Sequence, residues 1–173
     1  PKKELAKIID LSLNAQRRAR QGRFDDAVAR LYRTIEWFAQ WLLANYCELK
    51  TSDLAPEKIP EEMRERIKPD EEGKYKVGLW SAWEIASKLI HGKPRDFFQN
   101  ESKNMLNHLK KRNNSILAHG FSPISKPDWE AISIWLKEGF FPLLLDEAKK
   151  FKLPKFCQLP TSIPDFCSDS KPE

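Results

Sequence analysis

Glycine is scarce in this chain: six in 173 residues. Glycine supplies the positive-φ corners that hairpins need, whereas Leu, Ala, Lys, Arg and Glu, all abundant here, lose little freedom in a helix. The composition therefore argues against a turn-rich β fold and for an all-α one. Cysteine is scarce as well. The three residues, Cys47, Cys157 and Cys167, are odd in number and contain no Cys-x-x-Cys pair. A disulfide framework is not indicated, a Cys157–Cys167 bridge is possible but unsupported, and the usage fits a reducing cytoplasm. Cys47 falls within a helical pattern and reads as a small core residue. No apolar run reaches the roughly 18–20 residues of a membrane span. The longest, Gly139-Phe-Phe-Pro-Leu-Leu-Leu145, is short and interrupted by Pro142. No signal segment opens the chain, so a cytoplasmic location with no membrane partner is expected. Spacings that bind metals are missing too: there is no His-x-x-x-His, no Asp-x-Asp, and the three histidines are scattered. No cofactor is expected.

Neither sign of charge dominates. Thirty Lys and Arg face 25 Asp and Glu, a net +5, which permits an anionic partner without demanding one. What the chain does have is apolar mass: 40% hydrophobic residues, with six Trp and ten Phe. At this length that is enough for one compact domain with a sizeable core. The chain opens on Pro1 rather than Met, and is read as a piece of a longer protein with a sensor or regulatory domain upstream.

Apolar residues at helical spacing (Leu5, Ile8, Ile9) mark a first helix over 4–20, carrying a basic patch at Arg17, Arg18, Arg20 and Arg23, with Gly22 ending it. A second runs over about 24–49, with Asp25 and Asp26 at its positive end and a stripe through Leu31, Ile35, Phe38 and Leu42. The tight connection makes these two antiparallel neighbours. Residues 50–76, with three prolines and many charges, read as a long loop of functional or mobile character, with one short helix over 61–67. Further helices are expected over 79–90, from about 95 towards Arg112, and from Ser125 to about 150 with a kink near Pro142. The expectation is about five main helices in a domain over 1–152, followed by a Pro-rich tail over 153–173. Helices one and two faintly resemble one tetratricopeptide unit, but no second copy follows.

The segment richest in chemistry is Arg112-Asn113-Asn114-Ser115-Ile116-Leu117-Ala118-His119. On an unbroken helix Arg112 and His119 would share one face, about 10 Å apart along the axis. Asn113-Asn114-Ser115 is a poor helix interior and a good place for a break that brings the side-chain tips together. Such a set suits RNA cleavage without a metal. A ribose 2′-OH attacks the adjacent phosphate, arginine matches the phosphate oxygens with a permanent planar charge, and histidine exchanges protons near neutral pH. Asparagine holds the phosphate or orients the histidine. Spacing alone equally fits a solvated basic face with a histidine near a helix end.

The pattern Arg-Asn-x-x-x-x-x-His, late in an all-helical chain, resembles the signature of HEPN ribonucleases. More narrowly, Leu31-Tyr-Arg-Thr-Ile-Glu36 and Arg112-Asn-Asn-Ser-Ile-Leu-Ala-His-Gly-Phe121 resemble the C-terminal HEPN domain of CARF–HEPN CRISPR-associated accessory ribonucleases of type III systems. The likeness spans most of residues 5–150. It implies a HEPN-like helical bundle that cleaves single-stranded RNA in antiviral defence, leaving a 2′,3′-cyclic phosphate. It also implies a homodimer with a composite cleft, and activation by cyclic oligoadenylate bound to a CARF domain, of which these residues show no trace. Within it, Arg112 corresponds to the phosphate-stabilising arginine, Asn113 to its polar neighbour and His119 to the proton-transfer histidine. Lys110 and Lys111 are candidates for flanking phosphates, Ser115 for substrate contact or helix capping, and Phe121 for base stacking.

Other residues keep plainer readings. Arg33 and Glu36, three apart, form a helix-surface or interface ion pair. His91 sits at a helix end, and His108 is exposed or structural. The six tryptophans belong to core or dimer interface. Three alternatives remain beside the ribonuclease reading: a HEPN domain that binds RNA or nucleotides without cutting, a tetratricopeptide-like interaction module, and a structural dimerisation domain.

Overall fold

The computed structural model describes residues 1–116 and 120–159. Among these residues there are helices and no strands, as the composition predicts. Helix α1 (Lys2–Arg20) buries Leu5, Ile8, Ile9, Ser12, Ala15 and Ala19 along one face. The chain then turns through Gly22, at φ +74, into α2 (Phe24–Tyr46). The two helices make the largest interhelical contact in the molecule, and they are antiparallel. At one end Arg18 Nε lies 3.4 Å from Asp26, and at the other Trp41 Nε1 donates to the Pro1 carbonyl at 3.1 Å. Helix α2 ends three residues earlier than its stripe predicts. Cys47 is consequently a half-buried capping residue rather than an interior one, and burial raises its thiol pKa.

Helix α2 is the spine of the bundle. Its Phe38 is fully buried among Trp41, Trp83 and Phe140, with ring centroids at 5.9, 6.1 and 5.5 Å. Aromatic pairs at such spacings add stabilisation beyond the area they bury. Trp83 also donates its indole N–H to the Ile35 carbonyl at 3.2 Å, tying the fourth helix to α2.

Residues 50–76 depart from the expected loose loop. They hold a short 3₁₀ turn (Pro56–Lys58) and α3 (Glu61–Arg64), and they bury Leu54, Ile59, Met63 and Ile67 in the core. The two ends of the stretch are stitched together, with Leu54 N–H on the Tyr75 carbonyl and Val77 N–H on the Thr51 carbonyl, both at 2.9 Å. Prolines and charges hid four apolar anchors whose spacing follows no single period.

Helix α4 (Leu79–Leu89) leads through Gly92, at φ +82, into α5 (Lys93–Asn113), which begins two residues before its expected start because Pro94 fits the first turn. His91 lies exposed just past α4. Helix α6 (Lys126–Trp135) opens with a capping box in which Ser125 and Asp128 satisfy each other's backbone N–H. The bend expected at Pro142 falls earlier, in a π-helical stretch (Leu136–Phe140) that runs into α7 (Phe141–Lys150). A proline ring clashes with the carbonyl four residues before it, and a widened turn relieves that clash while keeping Leu136 and Phe140 buried. Taking α6, the π stretch and α7 as one body, five main helices build the domain. None of the described helices is long and apolar enough to cross a membrane.

After α7 the chain crosses α1. Gln158 donates to the Leu13 carbonyl at 3.1 Å and accepts from Arg17 at 2.7 Å, while Leu153 and Phe156 pack against the core. The rest of the tail, 160–173, lies outside the described residues.

Candidate functional site

The site is the C-terminal end of α5 and the turn that follows it. The helix stops at Asn113, where the Asn-Asn-Ser run predicts a break. Asn114 caps it in helical geometry, donating to the Lys110 carbonyl at 3.1 Å, and Ser115 N–H closes a further turn on Arg112 O at 2.9 Å. The chain then comes back on itself. Gly120 N–H donates to Ser115 O at 3.1 Å and Ser122 N–H to Asn114 O at 3.3 Å. A side chain at Gly120 would collide with the Asn114 carbonyl, so the close return requires glycine. Beyond it, the buried Ile124 donates its N–H to Asp25 Oδ1 at 3.0 Å, which pins the turn to the start of α2. The unbroken two-turn helix is therefore not what this sequence forms. His119, with Leu117 and Ala118, lies outside the described residues.

Four of the named polar groups, Lys110, Lys111, Arg112 and Asn113, stand on the last turn of α5. The three cations sit at its negative end, where positive charge is favoured. Arg112 is partly buried and donates through Nη1 to Asn113 Oδ1 at 3.1 Å. Lys110 is exposed. Lys111 is held at 2.5 Å by Asp128, whose carboxyl pKa is lowered by the hydrogen bond from Lys111 first and then by Ser125. That pair fastens α5 to the capping box of α6, so Lys111 already has a partner. Ser115 is buried, and its backbone carries the turn. Phe121 is 96% exposed and Ile116 is 55% exposed, leaving two large apolar side chains in solvent beside the motif.

His108, one turn before Arg112, is structural. Its ring lies 4.9 Å from that of Trp135, and burial first, then the charge of Lys111, lowers its pKa. Arg33 and Glu36 form the expected surface pair at 2.9 Å, with the guanidinium 5.7 Å from the Trp37 ring. Of the tryptophans, Trp41, Trp83 and Trp135 are buried, while Trp37, Trp80 and Trp129 are half-buried against the core. Among the described residues no three His, Cys, Asp or Glu side chains gather as a metal site would require.

Sequence reasoning overlooked three residues of this neighbourhood. Asp25 reads as an ordinary first-turn carboxylate and Asp128 drew no reading of its own, yet each anchors one side of the motif. Tyr32 lies within the Leu31-Tyr-Arg segment that carries the resemblance, and it is buried, with Arg112 acting on it electrostatically.

An all-α bundle with an Arg-Asn pair at the end of a late helix, where the chain doubles back, has the form of a HEPN domain. The chain belongs to the family described as the Csm6 HEPN domain, whose model matches residues 1–139 and so takes in the whole motif; these are HEPN domains of CRISPR-associated accessory ribonucleases. No curated protein and no solved structure matches the chain.

Proposed function

We propose that this chain is a metal-independent endoribonuclease domain acting on single-stranded RNA in type III CRISPR defence. The observation that carries the reading is the Arg112–Asn113 pair on the last turn of α5, at a chain reversal inside the family-matched span. In the proposed reaction a ribose 2′-oxygen bonds to the adjacent phosphorus as the bond from phosphorus to the 5′-oxygen breaks. The proton leaves the 2′-oxygen and the 5′-oxygen gains one, so no water is consumed. The products are a 2′,3′-cyclic phosphate and a 5′-hydroxyl. Arg112 stabilises the charge that builds on the phosphate, Asn113 orients it, and His119 moves the proton. Lys110 draws in the neighbouring backbone charge.

One protomer supplies half of the proposed cleft. Ile116 and Phe121, exposed beside the motif, suit a second copy of this chain or a stacked base. In the longer protein, cyclic oligoadenylate on a separate sensor domain would set the activity of the cleft. The test is cleavage of labelled RNA in EDTA, with the product ends identified. Arg112→Ala and His119→Ala should each abolish cleavage, and the parent should leave cyclic-phosphate ends. Cleavage by His119→Ala at the parent rate would remove His119 from the mechanism. Binding without any cyclic-phosphate product would replace the ribonuclease reading with a non-cutting HEPN domain.

A further inference from the structure

The turn from α1 into α2 forms one wall of a cleft of about 530 Å³, and α6 forms the other. Arg20 and Phe24 come from the first wall, and Lys126, Trp129 and Glu130 from the second. The volume suits a ligand the size of one nucleotide. Phe24 and Trp129 are half-buried and pack against the core, so both rings are held before any ligand arrives. An aromatic face fixed in advance costs little ordering on binding. Trp41, Trp83 and Trp135 each donate the indole N–H within the fold, whereas Trp129 makes no such bond among the described residues.

The fold consumes only part of the basic patch at this turn. Arg17 lies 3.7 Å from Asp10, and Arg18, Arg23 and Arg30 converge on Asp26 at 3.4, 3.4 and 3.0 Å. One carboxylate facing three guanidiniums leaves this end of the bundle positive. Arg20 is exposed and has no carboxylate partner among the described residues. Across the cleft Lys126 is exposed too, and its nearest carboxylate, Glu130, stands off at 3.8 Å. Exposed pairs of that kind contribute little, so turning Lys126 to a phosphate has a small cost. A fixed ring between cations matches single-stranded nucleic acid, whose bases stack on aromatic faces while its phosphates meet positive charge.

Both walls adjoin the candidate site through measured contacts. Phe24 precedes Asp25, which accepts from Ile124 of the site turn at 3.0 Å. Trp129 follows Asp128, which holds Lys111 at 2.5 Å, and Lys111 is the neighbour of Arg112. The first turn of α6, with Ser125 and Lys126 exposed on it, thus lies between the end of α5 and the cleft. We propose that this cleft is a second RNA subsite, in which a base flanking the cleaved nucleotide stacks on Trp129 while Arg20 and Lys126 hold its phosphates. Its placement beside a cut site rests on the ribonuclease reading above. Glu130 opposes the bound phosphate and limits the affinity.

The test uses the whole chain and 2′-O-methyl RNA, which cannot undergo 2′ attack, at a length of about 10 nucleotides, within the span of single-strand sites. The RNA carries the fluorescent base 2-aminopurine at one position at a time. One flanking position should be quenched by stacking in the parent and regain its fluorescence in Trp129→Leu, which keeps an apolar side chain and lacks the ring. That variant should bind the RNA about 5- to 150-fold more weakly, the range of one lost base stack. Arg20→Ala should weaken binding and lower the salt slope by about 1. Lys3→Ala removes the same charge from the far end of α1 and should leave binding at the parent value. Glu130→Gln should tighten binding. Because Arg20 is exposed, its variant reports on the cleft even where Trp129→Leu does not fold. Parent-like binding in Arg20→Ala, an equal loss in Lys3→Ala, an unchanged quenching pattern in folded Trp129→Leu, or weaker binding in Glu130→Gln would each overturn the proposal. Adenosine monophosphate tests the source of the nucleotide. If it binds as tightly as the RNA and loses as much in Arg20→Ala, the cleft is a free-nucleotide site and the proposal fails. Cleavage of unmodified RNA separates the two claims. If the parent leaves no cyclic-phosphate ends while binding and quenching follow the expected pattern, the ribonuclease reading fails and the cleft stands as an RNA site. If Arg112→Ala abolishes cleavage while Arg20→Ala and Trp129→Leu bind as the parent does, only the role of the cleft fails.

Discussion

Replacing Asp25 by alanine should loosen the site turn from a distance of nearly 90 residues in sequence. Asp25 Oδ1 is the acceptor for Ile124 N–H at 3.0 Å, and Ile124 is buried. The substitution strands that N–H, at about 1–3 kcal/mol for a buried donor left unpaired. It also removes a carboxylate from the first turn of α2, worth about 0.3–1 kcal/mol against the helix dipole. The total is about 1.3–4 kcal/mol. In a domain of this size each kcal/mol shifts Tm by about 2–4 °C, so Asp25→Ala should melt about 3–16 °C lower than the parent. Asp25→Asn keeps an acceptor oxygen and should recover more than half of the loss. Thermal melts followed by circular dichroism give both values. Hydrogen exchange should report faster opening at Ser122 and Ile124 than at the core of α2, since the lost bond holds the turn rather than the bundle. An Asp25→Ala Tm within about 1 °C of the parent would refute the reasoning, because it would mean that the turn is held by something else.

Two further predictions concern the core and its response to pH. Phe140, fully buried against Phe38 and Phe97, should lose about 3–5 kcal/mol on truncation to alanine, read as a shifted denaturation midpoint. Burial lowers the His108 pKa below its ordinary value of 6.5, so the unfolded chain takes up this proton before the folded one does. Stability should hold above pH 6.5 and fall as pH drops below it towards the folded-state pKa, with His108→Leu flattening Tm between about pH 7 and 5.

The sequence alone was enough for the helices, because amphipathic periodicity is local. Leu31, Ile35, Phe38 and Leu42 repeat at helical spacing whatever they pack against, and Gly22 and Gly92 mark turns that need positive φ. The break after Asn113 was legible for the same reason: Asn and Ser side chains compete for backbone hydrogen bonds within a few residues of themselves. Periodicity failed at 50–76, where Leu54, Ile59, Met63 and Ile67 reach the core without a common spacing, and at Pro142, where the strain moved into the π-helical turn before it. The candidate site divided along the same line. Arg112 and Asn113 are adjacent in sequence and were named from it. Only the tertiary structure brought Asp25 to Ile124 and Asp128 to Lys111, since contacts between residues 17 to 99 apart depend on how the helices pack. The sequence determined which groups stand at the end of α5; packing decided which neighbours hold them there.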